Sequence, residues 1–372
     1  MHKIYMDNQE DFHSGKQAEA RKESRTENNN AILLFQRVLM WIKIMRPQSW
    51  FAAVAPVLVG MMTASLQIHD ERVDMKVEET LREAQFEMAS ISKDSEKLNG
   101  LGVVITPDTT LLMSMNESSL HFNWNTAIVT LLCALDILVF ANLVNDYYDF
   151  RKGADAKGRV GFRRALAEGI VSPMQMRRAI IITVAVAVVT GLILVMEGGL
   201  PILLIGISGL FFAWLYTATR HSLAYMGIAD LFVFIYFGVV ATAGTTLLLA
   251  DAWNWHSFLA GGVCGVISIC VLACNNLRDR DDDARVGKRT LPVRFGKKAG
   301  DVEVITCTVL SLVFAWTAFG FSLPCLIVLP MAFLTWEIIH AHGAEYNRCL
   351  IHSGLCNMLF VTFVFIMFLI RM

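Results

Sequence analysis

Charged residues are scarce in this sequence. Only 17% of its 372 residues are Asp, Glu, Lys or Arg, and 55% are hydrophobic, whereas a soluble protein carries about 25% charged residues. The charges that exist fall in clusters between long apolar runs. This composition excludes an ordinary soluble domain and indicates a membrane protein.

Signals for disulfides or cysteine–metal sites are missing as well. The eight cysteines are scattered, mostly inside apolar runs, and no pair has C-x-x-C spacing. The histidines also lack metal-ligand spacing, so we expect the cysteines to pack between helices. The polar segment 1–30 contains no apolar stretch of the kind found in signal peptides, and its composition predicts a disordered tail.

Nine apolar runs dominate the rest of the chain. Each has roughly 18 to 25 residues, enough for a helix to cross a hydrocarbon core of about 30 Å. The runs are 48–67, 125–144, 178–197, 199–217, 226–250, 256–276, 302–319, 321–341 and 354–370. The sequence therefore predicts an all-α polytopic membrane protein with nine transmembrane helices.

The chain divides into three kinds of region on this basis. After the tail 1–30, the membrane domain comprises 31–67 and 122–372. Between its first and second spans, 68–121 is acidic on balance and predicts an extramembrane insertion, with its best helical stretch at 77–98.

Basic residues indicate the orientation in the membrane. Lys and Arg concentrate in 151–178 and 278–298, which follow the second and the sixth span and so lie on one side. The positive-inside rule makes that side cytoplasmic, with the N-terminus inside and the C-terminus outside.

An acidic motif ends a span at each of these two loops. The second span ends in NDYYD and the sixth in NNLRDRDDD. Asn and Asp recur in both at steps of four residues, which aligns their side chains on one helix face. These residues are Asn142, Asn145, Asp146 and Asp149 in the first motif, and Asn275, Asp279 and Asp283 in the second. Asp281 and Asp282 point off this face, and we interpret them as solvated charges.

Carboxylates stacked beside a membrane repel one another and need a compensating cation. Mg²⁺ prefers oxygen ligands and commonly binds one or two carboxylates together with substrate phosphates. Two facing Asp columns would hold Mg²⁺ and clamp a diphosphate. The remaining diphosphate oxygens would bind basic residues of the two loops, which are Lys152, Arg163, Arg164, Lys288, Arg289 and Arg294. The alternative is that each Asp pairs with a neighbouring Arg in an ordinary charged loop; two similar motifs on one side argue against it.

Two further acids lie inside predicted spans, where a carboxylate usually marks a functional site. Asp136 is in the middle of the second span, and a hydrogen bond to a neighbouring helix explains it equally well. Asp230 is near the cytoplasmic end of the fifth span and is the better candidate for a cavity-facing group.

The pairing of NDYYD with NNLRDRDDD resembles the UbiA superfamily of intramembrane prenyltransferases. Four stretches carry the resemblance, which are RPQSWFAAVAPVLVG (46–60), NLVNDYYDFRKGAD (142–155), YTATRHSLAYMGIADLFVFIYFG (216–238) and NNLRDRDDDARVGKRTLPVRFG (275–296). NNLRD followed by GKRTL is most similar to the branch that prenylates 1,4-dihydroxy-2-naphthoate in menaquinone synthesis. Residues 1–30 and 68–121 are not covered.

The resemblance implies nine helices around a central cavity, with both motifs at its cytoplasmic end. By position, the implied Mg²⁺ and diphosphate ligands are Asn145, Asp146, Asp149, Asp279 and Asp283. The superfamily pattern N-x-x-x-D-x-x-x-D fits Asn145 and Asp149 but meets Gly153 at its third place. Asp155 follows two residues later, and whether it reaches the metal stays open.

The implied reaction transfers a polyprenyl chain from an allylic polyprenyl diphosphate to the naphthoate, with loss of CO₂ and diphosphate, and gives demethylmenaquinol. The four Asp residues of the ligand set are the expected catalytic residues. The expected substrate-binding residues are Asn145, Asn275, Lys152, Arg164, Lys288, Arg289, Arg294, Tyr147, Tyr216 and Asp230. Tyr147, Tyr216 and Tyr225 would shield an allylic cation, although simple packing also explains each of them.

The expected partners are the two substrates and membrane lipid, without nucleic acid, at the bacterial inner membrane. One alternative keeps the superfamily but changes the acceptor to hydroxybenzoate, homogentisate or haem. A second alternative is an ion-coupled transporter that uses intramembrane acids. Transporter sites usually lie near the bilayer midplane, whereas these motifs lie at helix ends.

Overall fold

The computed structural model of the chain describes residues 33–94, 121–153, 164–219 and 222–371. Regular structure within these ranges is helical, without a β-strand. The chain divides into two units, Met1–Pro47 and Gln48–Met372. The first unit contains a helix over 33–44, and the second contains all the helices named below.

The helices of the second unit follow one another along the chain. They are α1 (Phe51–Asp94), α2 (Trp124–Arg151), α3 (Pro173–Leu215), α4 (Leu223–Met226), α5 (Ala229–Phe234), α6 (Val240–Ala250), α7 (Trp255–Arg278), α8 (Arg280–Arg285), α9 (Leu291–Phe295), α10 (Lys297–Phe319), α11 (Val328–His340) and α12 (Tyr346–Arg371). A π-helical turn, Ile235–Val239, joins α5 to α6, and 3₁₀ turns precede α11 and α12.

Eight helical segments of the described chain are long and apolar enough to cross a membrane, whereas the sequence predicts nine. Helix α3 accounts for the difference. Its 43 residues would extend about 65 Å as one straight helix, which is twice a hydrocarbon core of about 30 Å. Gly199, with φ 62° and ψ −149°, interrupts it at the first residue of the predicted span 199–217, just after the span 178–197.

Contacts beyond the two ends of α3 show that the chain reverses at Gly199. Arg164, which precedes α3, lies 3.6 Å from Asp146. Thr217, which follows α3, donates a hydrogen bond to Asn145 at 3.3 Å. Both partners belong to the last turns of α2, so the two ends of α3 lie at one end of α2. Helix α3 therefore contains two antiparallel spans, and the predicted all-α polytopic fold is confirmed over the described residues.

Helix α7 forms the centre of the bundle. Of its most apolar stretch, 78% is buried, against 17% for α3 at the periphery. Its fully buried face carries Cys264, Ile267, Cys270 and Cys274, within a cluster that includes residues of α1, α10, α11 and α12. All eight cysteines of the chain are buried and free, which confirms their predicted role in helix packing.

Glycines allow α7 to approach the π-helical turn closely. A Cβ atom at Gly265 would lie 2.7 Å from the carbonyl oxygen of Phe234, and one at Gly238 would lie 2.5 Å from the Gly265 backbone. Any larger residue at these positions would push the helices apart. The crossing fixes the position of α5 and α6 against the helix that carries the second acidic motif.

Helix α1 continues beyond the apolar bundle. Buried side chains occur along it as far as Ile68, and from Asp70 to Glu83 nearly all side chains are exposed. The helix runs on to Asp94 and includes most of the helical stretch predicted at 77–98. Residues 95–120 lie outside the described residues, so the insertion 68–121 and the tail 1–30 remain predictions.

Two hydrogen bonds identify the opposite ends of the bundle. Asn142 of α2 donates to Ser49, just before α1, at 3.1 Å. At the far end, Asn254 donates to Gln67 of α1 at 3.1 Å. The C-terminal ends of α2 and α7, which carry the acidic motifs, lie together at the first of these ends.

Candidate active site

The first acidic motif occupies the last two turns of α2. Asp146 and Asp149 are only 4% and 1% exposed, although a buried carboxylate is costly unless it is paired. Arg164 provides part of the compensation, because its guanidinium lies 3.6 Å from each carboxylate. One oxygen of each, Asp146 Oδ1 and Asp149 Oδ1, has no hydrogen-bond partner among the described residues.

The second motif spans a break between α7 and α8. Asp279, with φ −95° and ψ 10°, ends α7. The amides of Asp279 and Asp283 nevertheless bond to the carbonyl oxygens four residues earlier, at 2.9 and 2.8 Å, so the predicted column is kept. Both carboxylates are buried. The side chain of Asp281, by contrast, is 85% exposed, in agreement with a solvated charge.

Lys288 connects the two motifs. The Lys288 ammonium lies 3.5 Å from Asp149 Oδ2 and 3.2 Å from Asp283 Oδ1. Burial lowers the pKa of Lys288, but the carboxylates of Asp149 and Asp283 raise it more, and the result is a pKa above the ordinary value. The ammonium is therefore charged, and it holds acids of α2 and α8 together.

Arg278 was not predicted from the sequence, yet its guanidinium makes several hydrogen bonds at the site. Its Nε and Nη2 donate to the two oxygens of Asp279 at 2.9 and 2.8 Å. It also donates to Asn275 at 2.9 Å and to Asn347 of α12 at 2.7 Å. Its place directly before Asp279 was a usable signal, but nothing in the sequence points to Asn347.

Lys152 and Asn145 bind the loop after α3 rather than the carboxylates. The Lys152 ammonium donates to the carbonyl oxygens of Thr217 and Thr219, at 2.5 and 2.8 Å. It also lies 4.4 Å from the ring centroid of Tyr225. Desolvation by burial lowers the pKa of Lys152. Together with the bond from Thr217 to Asn145, these contacts attach the loop to the end of the first motif.

The remaining predicted substrate-binding residues lie around this centre. Arg289 and Arg294 are exposed, and the Arg289 carbonyl oxygen lies so close to Gly227 that a Cβ atom there would overlap with it. Tyr147 and Tyr216 are half-buried. The structure brings Asp149, Asp283, Lys288 and Arg164 together.

Asp230 belongs to α5 and is within electrostatic range of Glu303 of α10. Asp136 is half-buried in α2. Asp155 and Arg163, which were also considered from the sequence, lie outside the described residues.

The carboxylates of the two acidic motifs suit a divalent cation that binds together with a substrate. No three His, Cys, Asp or Glu side chains converge as a metal site within the described chain. Mg²⁺ does not require such a cage, because it usually binds one or two carboxylates and completes its shell with waters and phosphates. Asp146 and Asp149 each provide an unbonded oxygen of that kind, and Lys288 joins Asp149 to Asp283 of the second motif.

Comparison with known proteins agrees with this geometry. The sequence model of the UbiA prenyltransferase family matches residues 109–349. The chain is 33% identical to the 1,4-dihydroxy-2-naphthoate octaprenyltransferase of Escherichia coli (strain K12) over 183 residues, which are 48% of the chain and 59% of the relative. It is 34% identical to the protein of that name from Mycobacterium tuberculosis over 173 residues, 46% of the chain and 59% of the relative. The chain thus spans about three-fifths of the length of these relatives.

Solved structures show the same fold at low sequence identity. A UbiA homologue from Archaeoglobus fulgidus bound to DMAPP and Mg²⁺ is 15% identical, with a TM-score of 0.56 over 87% of the chain and 97% of that structure. The same homologue bound to GPP and Mg²⁺ gives 14% identity and a TM-score of 0.56, over 87% of the chain and 98% of that structure. Since the match to the family's sequence model covers more than half of the sequence, the chain belongs to the UbiA prenyltransferase family.

Proposed function

We propose that this protein transfers a polyprenyl chain from an allylic polyprenyl diphosphate to 1,4-dihydroxy-2-naphthoate. Relatives from Escherichia coli and Mycobacterium tuberculosis carry the name of that activity. A relative from Synechocystis, 25% identical over 229 residues, is named for a related carboxylated acceptor, 2-carboxy-1,4-naphthoquinone. The proposed products are CO₂, diphosphate and demethylmenaquinol.

The observation that supports this most directly is the meeting of two acidic motifs around one ammonium. Asp149 and Asp283 come from different helices, and Lys288 contacts both. Carboxylates and cations arranged in this way at a helix end suit a metal-bound diphosphate better than a transported ion near the membrane midplane.

Mg²⁺ would be held by Asp146, Asp149, Asp279 and Asp283, with Asn145 beside them, and when bound it supplies positive charge that stabilises the departing diphosphate. Asp146 and Asp149 each offer an oxygen without a hydrogen-bond partner among the described residues. Asp279 is already bonded through both oxygens to Arg278, so it also fixes the end of α7.

The chain's cations would bind the diphosphate oxygens that the metal leaves open. Lys288 and Arg164 lie inside the cluster and are the nearest donors. Arg289 and Arg294 are exposed and would contact the diphosphate of the incoming substrate first. Lys152 and Asn275 are bonded to backbone carbonyl oxygens, and each would have to exchange that bond for one to substrate.

The transfer step breaks the bond between the allylic carbon and the diphosphate oxygen, and the electron pair leaves with the diphosphate. The allylic carbon then bonds to the ring carbon that bears the carboxylate. Loss of CO₂ returns its bonding electrons to the ring. Tyr147 and Tyr216 would shield the cation, and Asp230 would line the acceptor side of the cavity. Donors fixed in a dry site favour this charge separation.

The active site would lie on the cytoplasmic side of a bacterial inner membrane, with the prenyl chain among the lipids. The basic loops 151–178 and 278–298 support this orientation. Apolar side chains cover the exposed surface of α3, which suits contact with lipid.

The test is a transfer assay with the purified protein in liposomes. Labelled polyprenyl diphosphate and 1,4-dihydroxy-2-naphthoate should give a prenylated lipid and CO₂ with Mg²⁺ and no product with EDTA. Asp146→Asn and Asp149→Asn should each lower the rate on the order of 100-fold or more, as for other groups that stabilise transition-state charge. Asp281→Asn is the matched control and should keep wild-type activity.

If product forms only with a different aromatic acceptor, the metal–diphosphate chemistry is supported but the naphthoate is the wrong acceptor. Absence of transfer to any acceptor, together with absence of Mg²⁺-dependent binding of the prenyl diphosphate, would reject the proposal.

A further inference from the structure

We propose that Lys288 holds the place of the metal between the two acidic motifs until a diphosphate arrives. The incoming metal and diphosphate then displace its ammonium from the carboxylates. This inference rests on the proposed metal–diphosphate chemistry of the site and concerns how the chain controls it.

The position of the Lys288 ammonium carries the inference. It contacts Asp149 Oδ2 at 3.5 Å and Asp283 Oδ1 at 3.2 Å. One of these oxygens belongs to each acidic motif. A cation that joins α2 to α8 needs both of them. The side chains of Lys288, Asp149 and Asp283 are only 11%, 1% and 10% exposed, so water screens the attraction between their charges only weakly. A metal ion and this ammonium cannot occupy the same space.

Charge balance explains why the ammonium is there. Asp279 is paired with Arg278. Arg164 lies beside Asp146 and Asp149, and Lys288 lies beside Asp149 and Asp283. Without Lys288, these buried carboxylates would lose one of the positive charges that compensate them. The cluster would then attract any divalent cation, with or without substrate.

A diphosphate changes this balance because it brings its own negative charge. The ammonium can leave the carboxylates for diphosphate oxygens, and the metal can take its place. The backbone of Lys288 is anchored by a hydrogen bond from its amide to the Asp283 carbonyl oxygen at 3.0 Å. Side-chain rotation is therefore enough for the exchange. Metal and diphosphate should thus bind cooperatively, and metal alone should bind weakly.

The experiment titrates Mn²⁺, without any diphosphate, into the full-length protein in detergent and follows free Mn²⁺ by electron paramagnetic resonance. Lys288→Met removes the charge at similar length. It should bind Mn²⁺ about tenfold or more tightly than wild type, within the usual range of coupling between two ligands. Lys298→Met, which removes an exposed lysine of α10, is the matched control and should bind Mn²⁺ as wild type does.

Mn²⁺ binding by Lys288→Met that is equal to or weaker than that of wild type would overturn the inference. Tighter binding could not result from unfolding of the variant, because unfolding cannot produce a gain in affinity. Lys288→Gln gives a second variant if the first does not fold. The wild type gives an independent measurement, because inorganic diphosphate should raise its Mn²⁺ affinity after correction for the complex formed in solution. Equal affinities with and without diphosphate would also overturn the inference.

Transfer by the wild type separates this inference from the proposed function. If the wild type makes product with Mg²⁺ but the Lys288 variants leave Mn²⁺ affinity unchanged, only the inference fails. If the wild type neither binds a prenyl diphosphate with Mg²⁺ nor transfers it, both fail.

Discussion

Arg278 binds both carboxylate oxygens of Asp279, at 2.9 and 2.8 Å, with its side chain only 4% exposed. The same guanidinium reaches Asn347 of α12. The end of the central helix is therefore tied to the last helix through the residue beside a predicted metal ligand. This connection makes Arg278 a positioning residue for Asp279.

Replacement of Arg278 should affect both folding and transfer. Arg278→Ala leaves the buried Asp279 carboxylate uncompensated and should destabilise the protein by about 3–5 kcal/mol. Arg278→Lys keeps the charge but loses the two-pronged geometry, so it should fold better yet transfer more slowly. Thermal unfolding and kcat measure the two effects. Arg280→Lys, at a partly exposed neighbour, is the control, and equal unfolding of Arg278→Ala and wild type would contradict the argument.

Lys152 should control the loop after α3. In Lys152→Met the carbonyl oxygens of Thr217 and Thr219 lose their donor, so the loop should open more often. Hydrogen exchange at the amides of 217–219 should then speed up. Arg151→Met, at the exposed preceding residue, should leave exchange unchanged. Unaltered exchange in Lys152→Met would mean that the loop is held by other contacts.

Gly265 should tolerate no side chain. A Cβ atom there would lie 2.7 Å from the Phe234 carbonyl oxygen, so Gly265→Ala must separate α7 from α5. Overpacking of this kind costs about 1–3 kcal/mol, and the thermal unfolding temperature should fall. Gly206→Ala, where the added atom would meet nothing within 4 Å, should unfold at or above the wild-type temperature. A neutral Gly265→Ala would show that the crossing can relax.

Glu337 should hold α11 to α12. Its buried carboxylate accepts hydrogen bonds from Arg348 at 2.7 Å and from His352 at 2.6 Å. Glu337→Gln preserves shape but removes the charge, and should cost about 1.5–3 kcal/mol, the usual range for a hydrogen bond to a charged group. Thermal unfolding again provides the measurement. The exposed Glu197 gives the control Glu197→Gln, and an equal loss in both variants would refute a specific role for Glu337.

The span pattern was readable from the sequence because a bilayer requires about 20 consecutive apolar residues for each helix. Even the one disagreement, eight long helices against nine predicted runs, has its explanation in Gly199, which interrupts the helix where one of those runs begins. The four Asp residues were also predictable, since their spacing aligns them on helix faces at span ends. Their burial in the fold agrees with that reading.

The partners of these residues depended on how distant helices pack. Lys288 and Asp149 are 139 positions apart, and Arg278 and Asn347 are 69 apart. Spacing within one helix carries no information about such pairs. The sequence by itself determined the membrane architecture and the acidic motifs, because bilayer thickness and helix periodicity act locally along the chain. Only the tertiary structure decided that Lys288 bridges the motifs, that Lys152 binds a loop and that Arg289 faces outward, because those choices follow from side chains meeting across helices.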